Sequence, residues 1–327
     1  MRDCLLHEDE ELLYRLRGLY STYGFRPFRM SKFEPYDLYA GNKDFLVSDR
    51  IITFHDTNGD LLALKPDVTL SIVRNAGFRP GRKEKFYYQE NVYRPAGSSR
   101  HFREIMQCGL ECIGDLDSFD EYEALLLAEK SLRMISEENV LCFSHLGILK
   151  SLMDALKVED ARQRELQTLI ASRNRHELEA LFVSYGWDRG YLEDLNKLLS
   201  LSCGIPELAE QIGEISWIGA EVKKELTELA ELFEGSDSAA KFDFSVSNDI
   251  HYYNGLVFQG FVRGIAEKIL AGGRYDSLLQ RMDKKGGAIG FAVYFGLLEP
   301  FLRRGQEAAA DVVLLYDEKT PLTKVRD

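Results

Sequence analysis

Apolar residues recur every three or four positions in several parts of the chain, and this spacing predicts amphipathic helices. The first predicted helix runs from Asp9 to Tyr23, and Gly24 follows it as a C-terminal cap. A second begins at Pro66, because proline suits the first turn of a helix. A third follows Ser118–Glu121, which has the spacing of a capping box.

Shorter apolar segments bounded by turn residues predict β-strands. Two strands surround a turn at Asp56–Gly59, and Asn254–Gly255 is a dipeptide typical of hairpins. The predicted strands outside the central hairpin are Ile51–Phe54, Leu61–Leu64, Val140–Leu146, Phe242–Val246, Leu256–Val262 and Gly287–Val293.

The central stretch, Lys85 to Gly114, reads as two strands joined by a turn at Pro95–Ser99. Alternation on the second strand gives it an apolar face of Met106, Cys108, Leu110 and Cys112. Its other face carries Arg103, Gln107 and Glu111. One interpretation is an ordinary solvated polar face. The other is the floor of a site for a zwitterionic or phosphorylated small molecule, with a guanidinium for the anion and a carboxylate for the ammonium.

A block of helix-forming residues separates two strand-rich parts of the chain. The expected division is a discontinuous core of residues 1–147 and 237–307, a helical insertion at 148–236, and a tail or truncated further unit at 308–327. The fold class expected from this order is α+β, with an antiparallel sheet, flanking helices and a helical insertion.

Composition narrows the class of protein. The chain has 327 residues, 45% hydrophobic and 29% charged, with no apolar run as long as a membrane span. Five cysteines without paired CxxC motifs suit a reducing cytoplasm better than disulfides or a metal site. The net charge of −12 counts against nucleic-acid binding, which needs a basic surface.

Four segments carry more polar functional groups than folding needs. They are Lys65–Thr69, the central hairpin, Asp249–Gly255 and Ala271–Asp276. For the last two segments, a structural explanation stands beside the functional one: Gly272–Gly273 lie in a turn or at a close approach to a ligand or strand, His251 is a packed or surface histidine, and Tyr252–Tyr253 are core aromatics.

Taken in order, these segments resemble the catalytic core of histidyl-tRNA synthetase, a class II synthetase. They resemble more closely its non-catalytic relative, the regulatory subunit of ATP phosphoribosyltransferase. Phe25–Glu34, Ala63–Thr69 and Asn91–Arg94 are similar to the second family, and the likeness extends from Phe33 to Ala292.

The resemblance implies a histidine-like pocket and assigns its members. Asp67, with Thr69 beside it, matches the acid that holds the amino group, and Arg94 matches the motif 2 arginine. Gln107 and Glu111 match the strand that lines the amino-acid pocket. Three further matches come from the C-terminal half: Tyr252 and Tyr253, which face the imidazole, and Arg274, which lies in the glycine–arginine segment near the adenylate.

The chain departs from the synthetase where ATP chemistry needs cations. Residues 247–251 stand where the synthetase has its catalytic arginine, and no arginine occurs from Lys241 to Val262. In motif 3, Leu297 or Pro300 takes the place of the arginine that clamps ATP. Losing one such donor costs about a hundred- to a thousandfold in rate.

We therefore expect a cytoplasmic, non-catalytic subunit without a cofactor. The resemblance implies that it binds the short-form ATP phosphoribosyltransferase catalytic subunit, takes part in histidine feedback, and forms a homodimer through Phe25 to Leu46. Whether histidine binds the old pocket or a subunit interface stays open. The alternative is a histidyl-tRNA synthetase or a histidine-activating ligase.

Overall fold

The structure is a computed structural model, and it describes residues 7–46, 48, 50–77, 79–95, 101–246, 252–302, 315, 317, 321 and 323. Several predictions concern residues outside this set. These are most of the turn at 95–99, His251, and nearly all of the tail from 308 to 327.

The strands that the structure describes are β1 (Arg26–Pro27), β2 (Phe33–Pro35), β3 (Thr53–His55), β4 (Leu61–Leu64), β5 (Lys83–Pro95), β6 (Phe102–Gly114), β7 (Asn139–His145), β8 (Lys241–Phe242), β9 (Leu256–Val262), β10 (Leu270–Arg274) and β11 (Gly287–Tyr294). The α-helices are α1 (Glu8–Thr22), α2 (Tyr36–Ala40), α3 (Thr69–Asn75), α4 (Ser118–Ile135), α5 (Leu146–Leu156), α6 (Asp160–Ala171), α7 (Arg175–Tyr185), α8 (Arg189–Ser200), α9 (Ile205–Gly213), α10 (Ala220–Phe233), α11 (Asp276–Arg281) and α12 (Phe295–Leu302). A short 3-10 helix spans Lys43–Phe45.

An eight-stranded sheet dominates the fold, in the order β1-β5-β6-β11-β10-β9-β7-β8. Its six central strands are antiparallel. The two edge strands pair in parallel with their neighbours, so the sheet is mixed rather than wholly antiparallel as predicted. A separate three-stranded sheet has the order β2-β4-β3.

Most of the predicted elements are present, with bounds that differ by a few residues. The first helix, the central hairpin and the strands from Leu61 and from Leu256 are confirmed. The helix predicted at Pro66 begins at Thr69, and the Asp67 side chain just before it accepts the Leu70 amide at 2.9 Å. The capping box of α4 is formed by Asp117 and Asp120 rather than by Ser118–Glu121.

In the C-terminal half, one prediction is wrong and one pair of alternatives is decided. The glycine pair Gly272–Gly273 lies inside β10, between β9 and β11, which excludes the turn and confirms the close approach to a strand. A Cβ at Gly272 would lie within 3 Å of Phe291 and Phe258, so the glycine serves a close approach between strands. Asn254–Gly255 leads into β9, which pairs with β10 and β7, and forms no two-residue hairpin turn among the described residues.

The sheet separates two hydrophobic clusters. Cys108, Leu110 and Cys112 point into the larger cluster, beneath α1 and α4. This cluster continues without a break into the helices from α5 to α10. The other sheet face packs on a smaller cluster that includes Tyr39, Leu70 and Tyr275. The helical block, defined as α5 to α10, therefore shares its core with the sheet.

Both tryptophans of the chain lie in the helical block. Trp187 stands between α7 and α8 and stacks on Tyr185, with ring centroids 4.9 Å apart. Trp217 precedes α10 and donates its indole N–H to Asp194 at 2.8 Å. In the part of the chain that the structure describes, no helix is long and apolar enough to cross a membrane.

Candidate functional site

The candidate site begins with a row of residues that crosses the central sheet. Glu111 on β6 is opposite Gly290 on β11, and Gly290 is opposite Gly273 on β10. A Cβ at Gly290 would overlap the Glu111 carboxylate, and a Cβ at Gly273 would lie 2.8 Å from the Tyr253 ring. The two glycines therefore leave room for a carboxylate and an aromatic ring directly above the strands.

Glu111 is buried and accepts two hydroxyl hydrogen bonds. Thr69 donates to Oε1 at 2.8 Å, and Tyr275 donates to Oε2 at 2.5 Å. Burial raises the pKa of Glu111 to about 8, although both hydroxyls act in the opposite direction. No lysine, arginine or histidine among the described residues pairs with this carboxyl group. Gln107 and Glu111 on the polar strand face are thus buried while Arg103 is exposed, so the interpretation as a solvated surface is wrong for the first two residues.

Asp67 supplies a second acid to the same region. Burial raises its pKa, while the Leu70 amide and the charge of Arg94 act to lower it. Arg94 is 8% exposed and so is a buried cation close to a carboxylate. Asp67, Thr69 and Arg94 come from the start of α3 and the end of β5, which the fold brings together above β6.

Tyrosines form the aromatic side of the site. The Tyr252 ring meets the Tyr253 ring edge-on at 4.6 Å and lies 5.6 Å from the Tyr275 ring. Burial raises the pKa of the Tyr252 hydroxyl, and the charges of Asp67 and Glu111 raise it further. Tyr252 is therefore close to both acids, and its contact with an imidazole stays a prediction.

Gln107 lies on the same face of β6 as Glu111, four residues earlier in the strand. It is 4% exposed, and it is opposite Glu90 on β5 and Tyr294 on β11. Glu90 in turn forms an ion pair with Lys65, which is 1% exposed. The Lys65–Glu90 pair was not predicted from the sequence, because a lysine before a proline gives no sign that it is buried.

The structure does not bring Arg274 to this cluster. Arg274 is opposite Ile289 and hence on the face of the sheet that α4 covers. Its guanidinium donates to Glu121 on α4 at 2.9 Å and to Asp276 at 2.9 Å. Burial alone would lower the pKa of Arg274, but Asp276 and Glu121 together raise it above its usual value.

Sequence reasoning missed Tyr275 and Glu121. Tyr275 lies one residue beyond Arg274, and strand alternation puts it on the same face as Gly273 and thus beside Glu111. That signal was available in the sequence. Glu121 gave no such signal, because its partner Arg274 is 153 residues away in the chain.

The seven clustered residues can hold a compact ligand that is cationic or rich in N–H donors. They are Asp67, Thr69, Arg94, Gln107, Glu111, Tyr252 and Tyr253. Two carboxyl groups can accept from the ligand, Arg94 can bind a carboxylate, and the tyrosines can flank a ring. No group of histidine, cysteine, aspartate or glutamate suited to a metal ion occurs among the described residues.

Comparison with known proteins identifies the family. The family model described as histidyl-tRNA synthetase matches residues 5–298, and the chain belongs to this family. An ATP phosphoribosyltransferase regulatory subunit of Bacillus cereus (strain B4264) is 27% identical over 336 aligned positions, which cover 97% of this chain and 79% of the relative. A regulatory subunit of Bacillus thuringiensis (strain Al Hakam) matches to the same extent.

Solved structures agree with this assignment. A protein of Bacillus halodurans described as an ATP phosphoribosyltransferase regulatory subunit/histidyl-tRNA synthetase superposes with a TM-score of 0.76 at 25% identity, covering 90% of this chain and 79% of that one. A chain of the ATP phosphoribosyl transferase (HisG:HisZ) complex of Thermotoga maritima gives 0.67 at 19% identity, covering 87% and 96%. The second likeness concerns the fold alone. The predicted class II synthetase-like fold is confirmed.

Proposed function

We propose that this protein is a non-catalytic regulatory subunit of ATP phosphoribosyltransferase. It binds and activates the short-form catalytic subunit, which makes phosphoribosyl-ATP in the first step of histidine biosynthesis, and it takes part in feedback by histidine. The names of the relatives in Bacillus support this proposal, and so does the composition of the site.

One observation carries the proposal: the groups that can bind an amino acid are assembled, while Arg274, the cation of the glycine–arginine segment, is paired on the other face of the sheet. Asp67, Arg94 and Glu111 are close together on one face of the sheet. Arg274 is held by Glu121 and Asp276 on the other face. Adenylate formation needs cations free to bind phosphate oxygens, and Arg274 does not supply one here.

The negative charge of the helical block also favours a regulatory subunit over a synthetase that binds tRNA. Between residues 148 and 236 the sequence has ten lysines and arginines but seventeen aspartates and glutamates. A surface that binds the phosphates of a tRNA needs the opposite balance. The block therefore favours a protein partner over a nucleic acid.

The ligand we propose for the site is histidine. Its ammonium or imidazole N–H groups would donate to Glu111 and Asp67, its carboxylate would bind Arg94, and its ring would lie against Tyr252 and Tyr253. This assignment gives each polar group of a zwitterionic amino acid a partner of opposite character.

The decisive experiment mixes the purified protein with a short-form catalytic subunit and measures phosphoribosyl-ATP formation. We expect a stable complex and a rate well above that of the catalytic subunit alone, reduced again by histidine. If the two proteins neither associate nor increase the rate, the proposal is wrong.

A second assay separates regulation from synthetase activity. Histidine-dependent exchange between ATP and pyrophosphate measures adenylate formation directly. We expect no exchange above that of a protein-free control. Clear exchange by this chain would establish a histidine-activating enzyme in place of a regulatory subunit.

The small sheet supports a homodimer. Phe33 is 49% exposed, its ring meets Phe54 edge-on at 5.1 Å, and Leu61 on the neighbouring strand β4 is 40% exposed. A second copy of the chain is the partner we propose for this face, since it adjoins the region from Phe25 to Leu46. Sedimentation of the wild type and of Phe33→Asp tests this: the variant should be monomeric.

We further propose a cytoplasmic location and the division into core, helical insertion and tail described above. The cysteines Cys108, Cys112, Cys142 and Cys203 are all free thiols, which suits a reducing compartment. Limited proteolysis tests the division, with early cleavage expected near residues 234–238.

A further inference from the structure

Two polar pairs lie where the helical block meets the sheet. Glu225 on α10 lies 3.1 Å from His145 Nε2, and His145 is buried at the end of β7. Glu121 on α4 pairs with Arg274 on β10 at 2.9 Å. Gly255 lies between the two pairs, since a Cβ at this position would be 3.2 Å from the Arg274 side chain. The two pairs and the backbone between them are called the network below.

The network ends at the segment that carries the site tyrosines, Tyr252–Gly255. Arg274 accepts the Asn254 amide through its carbonyl oxygen at 2.9 Å. The Asp276 amide donates to the Asn254 side chain at 2.6 Å, and Ser277 donates to the Tyr252 carbonyl at 3.3 Å. The position of Tyr252 over the acids thus depends on groups next to Arg274.

A backbone hydrogen bond makes a second connection at the same place. Leu146, the first residue of α5, donates its amide to the Gly255 carbonyl at 2.9 Å. Leu146 follows His145 directly, and the His145 ring accepts the Gly147 amide at 3.2 Å. The start of the helical block is therefore bonded both to α10, through His145, and to the tyrosine segment, through Leu146.

Burial makes this network sensitive to each of its members. Glu121 is 3% exposed, and burial raises its pKa, against the influence of its partner Arg274. A buried charge that loses a partner is costly, so neighbouring groups move to replace the partner. Displacement of α10 from His145 would move the adjacent Leu146 and its hydrogen-bond partner Gly255, and through Gly255 it would change the packing around Arg274 and the residues bonded to Arg274.

We propose that this network couples the helical block to the ligand site, so that the contact of α10 with His145 determines how tightly the Glu111 cluster binds its ligand. Arg274 and Glu121 act as positioning residues for Tyr252 and Tyr253 and do not touch the ligand. The proposal rests on the proposed histidine site. A partner that binds the helical block would change histidine affinity through this connection, and histidine would change partner affinity equally.

The test uses the half-exposed end of the network, because a change at buried Arg274 threatens the fold. Glu225→Ala removes the partner of His145. Glu221→Ala is the matched control, since it removes the same group one turn earlier on α10 at an exposed position. Calorimetry with histidine and hydrogen exchange of the full-length protein are measured for wild type and both variants.

We expect Glu225→Ala to weaken histidine binding about fivefold or more, in the range typical of coupled sites, and Glu221→Ala to match wild type. Backbone amides of residues 252–258 should exchange faster in Glu225→Ala alone. Equal histidine affinity of the two variants overturns the proposal. If the wild type binds no histidine, the proposed ligand site is wrong, and the exchange data alone then decide whether the coupling exists.

Discussion

Two buried carboxyl groups lie on opposite faces of the same sheet, and the protein treats them differently. Glu121 is matched by the Arg274 guanidinium at 2.9 Å. Glu111 receives only hydroxyl groups, from Thr69 and Tyr275, and its pKa is raised to about 8 by burial. A buried carboxyl group that is paired with a protein cation needs no further partner. A buried carboxyl group without such a cation can instead bind a cation or an N–H donor of a ligand.

The two faces of the sheet also explain why adjacent residues of one sequence motif have different roles. Gly273 and Arg274 are neighbours on β10, so they belong to opposite faces. Gly273 leaves space beside the ligand site, and Arg274 stabilises the interface between sheet and helices. A motif that reads as one functional segment is divided by the sheet into a site half and a structural half.

Removing the matched cation should have the largest effect. Arg274→Met leaves Glu121 buried without its partner, and we expect a loss of about 3–5 kcal/mol in the free energy of unfolding measured in urea. Arg162→Met is the control, since its pair with Glu165 is exposed and typically contributes about 1 kcal/mol or less. If both variants lose the same small amount of unfolding free energy, the Glu121–Arg274 pair does not stabilise the contact between sheet and helices.

Changing the unmatched acid should act on binding instead. Glu111→Gln removes the charge that a histidine N–H group would bind, and we expect affinity to fall by about 1.5–3 kcal/mol, roughly ten- to 150-fold, in calorimetry. Glu104→Gln, at an exposed position on the same strand, should bind as the wild type does. Unchanged affinity in Glu111→Gln would move the histidine sensor to another surface.

The raised pKa of Glu111 predicts a particular pH dependence. The folded protein holds this proton up to about pH 8, whereas the unfolded chain releases it near the ordinary value of 4.5. Stability from this group therefore falls as pH rises from about 5 to 8, because the folded state binds more protons there. The free energy of unfolding of wild type minus that of Glu111→Gln should decrease across this range.

The same proton should be visible in binding. A cationic ligand favours the carboxylate, so histidine binding near pH 7 should release protons from wild type and fewer from Glu111→Gln. Calorimetry in buffers of different ionisation enthalpy measures this release. Proton uptake, or no difference between the two proteins, would contradict the assignment of the raised pKa to Glu111.

The smallest expected effect concerns the hydroxyl groups that hold Glu111. The Tyr275 hydroxyl lowers the pKa of Glu111, so Tyr275→Phe should shift the pH dependence upward. It should also lower stability by about 1 kcal/mol, as for a single hydrogen bond. Tyr14→Phe, an exposed tyrosine on α1, is the control and should change neither quantity.

Local patterns predicted much of the fold, because most elements are defined by nearby residues. The alternation from Met106 to Cys112 placed the right side chains in the core. It could not show that Gln107 and Glu111 are buried as well, since that depends on α3 and on the segment of Tyr252. The glycines of β10 did not indicate a strand, because Gly272 serves contact with Phe258 and Phe291 on neighbouring strands and Gly273 leaves room for the Tyr253 ring.

The candidate site was proposed from the order of motifs, and Arg274, which lies on the other face of the sheet, shows the limit of that approach. Arg274 has the sequence context of a ligand-binding residue. Its orientation is decided by Glu121 and Asp276, and only the three-dimensional fold brings Glu121 to it.

The positions of the aromatic residues also make this protein its own optical reporter. Its only two tryptophans, Trp187 and Trp217, belong to the helical block, while the ligand site has tyrosines alone. Fluorescence excited at a wavelength that tryptophan absorbs and tyrosine does not therefore reports on the helical block and not on the ligand site. Any change of that emission when a ligand binds at Glu111 is a signal that has travelled between the two regions, with no dye attached.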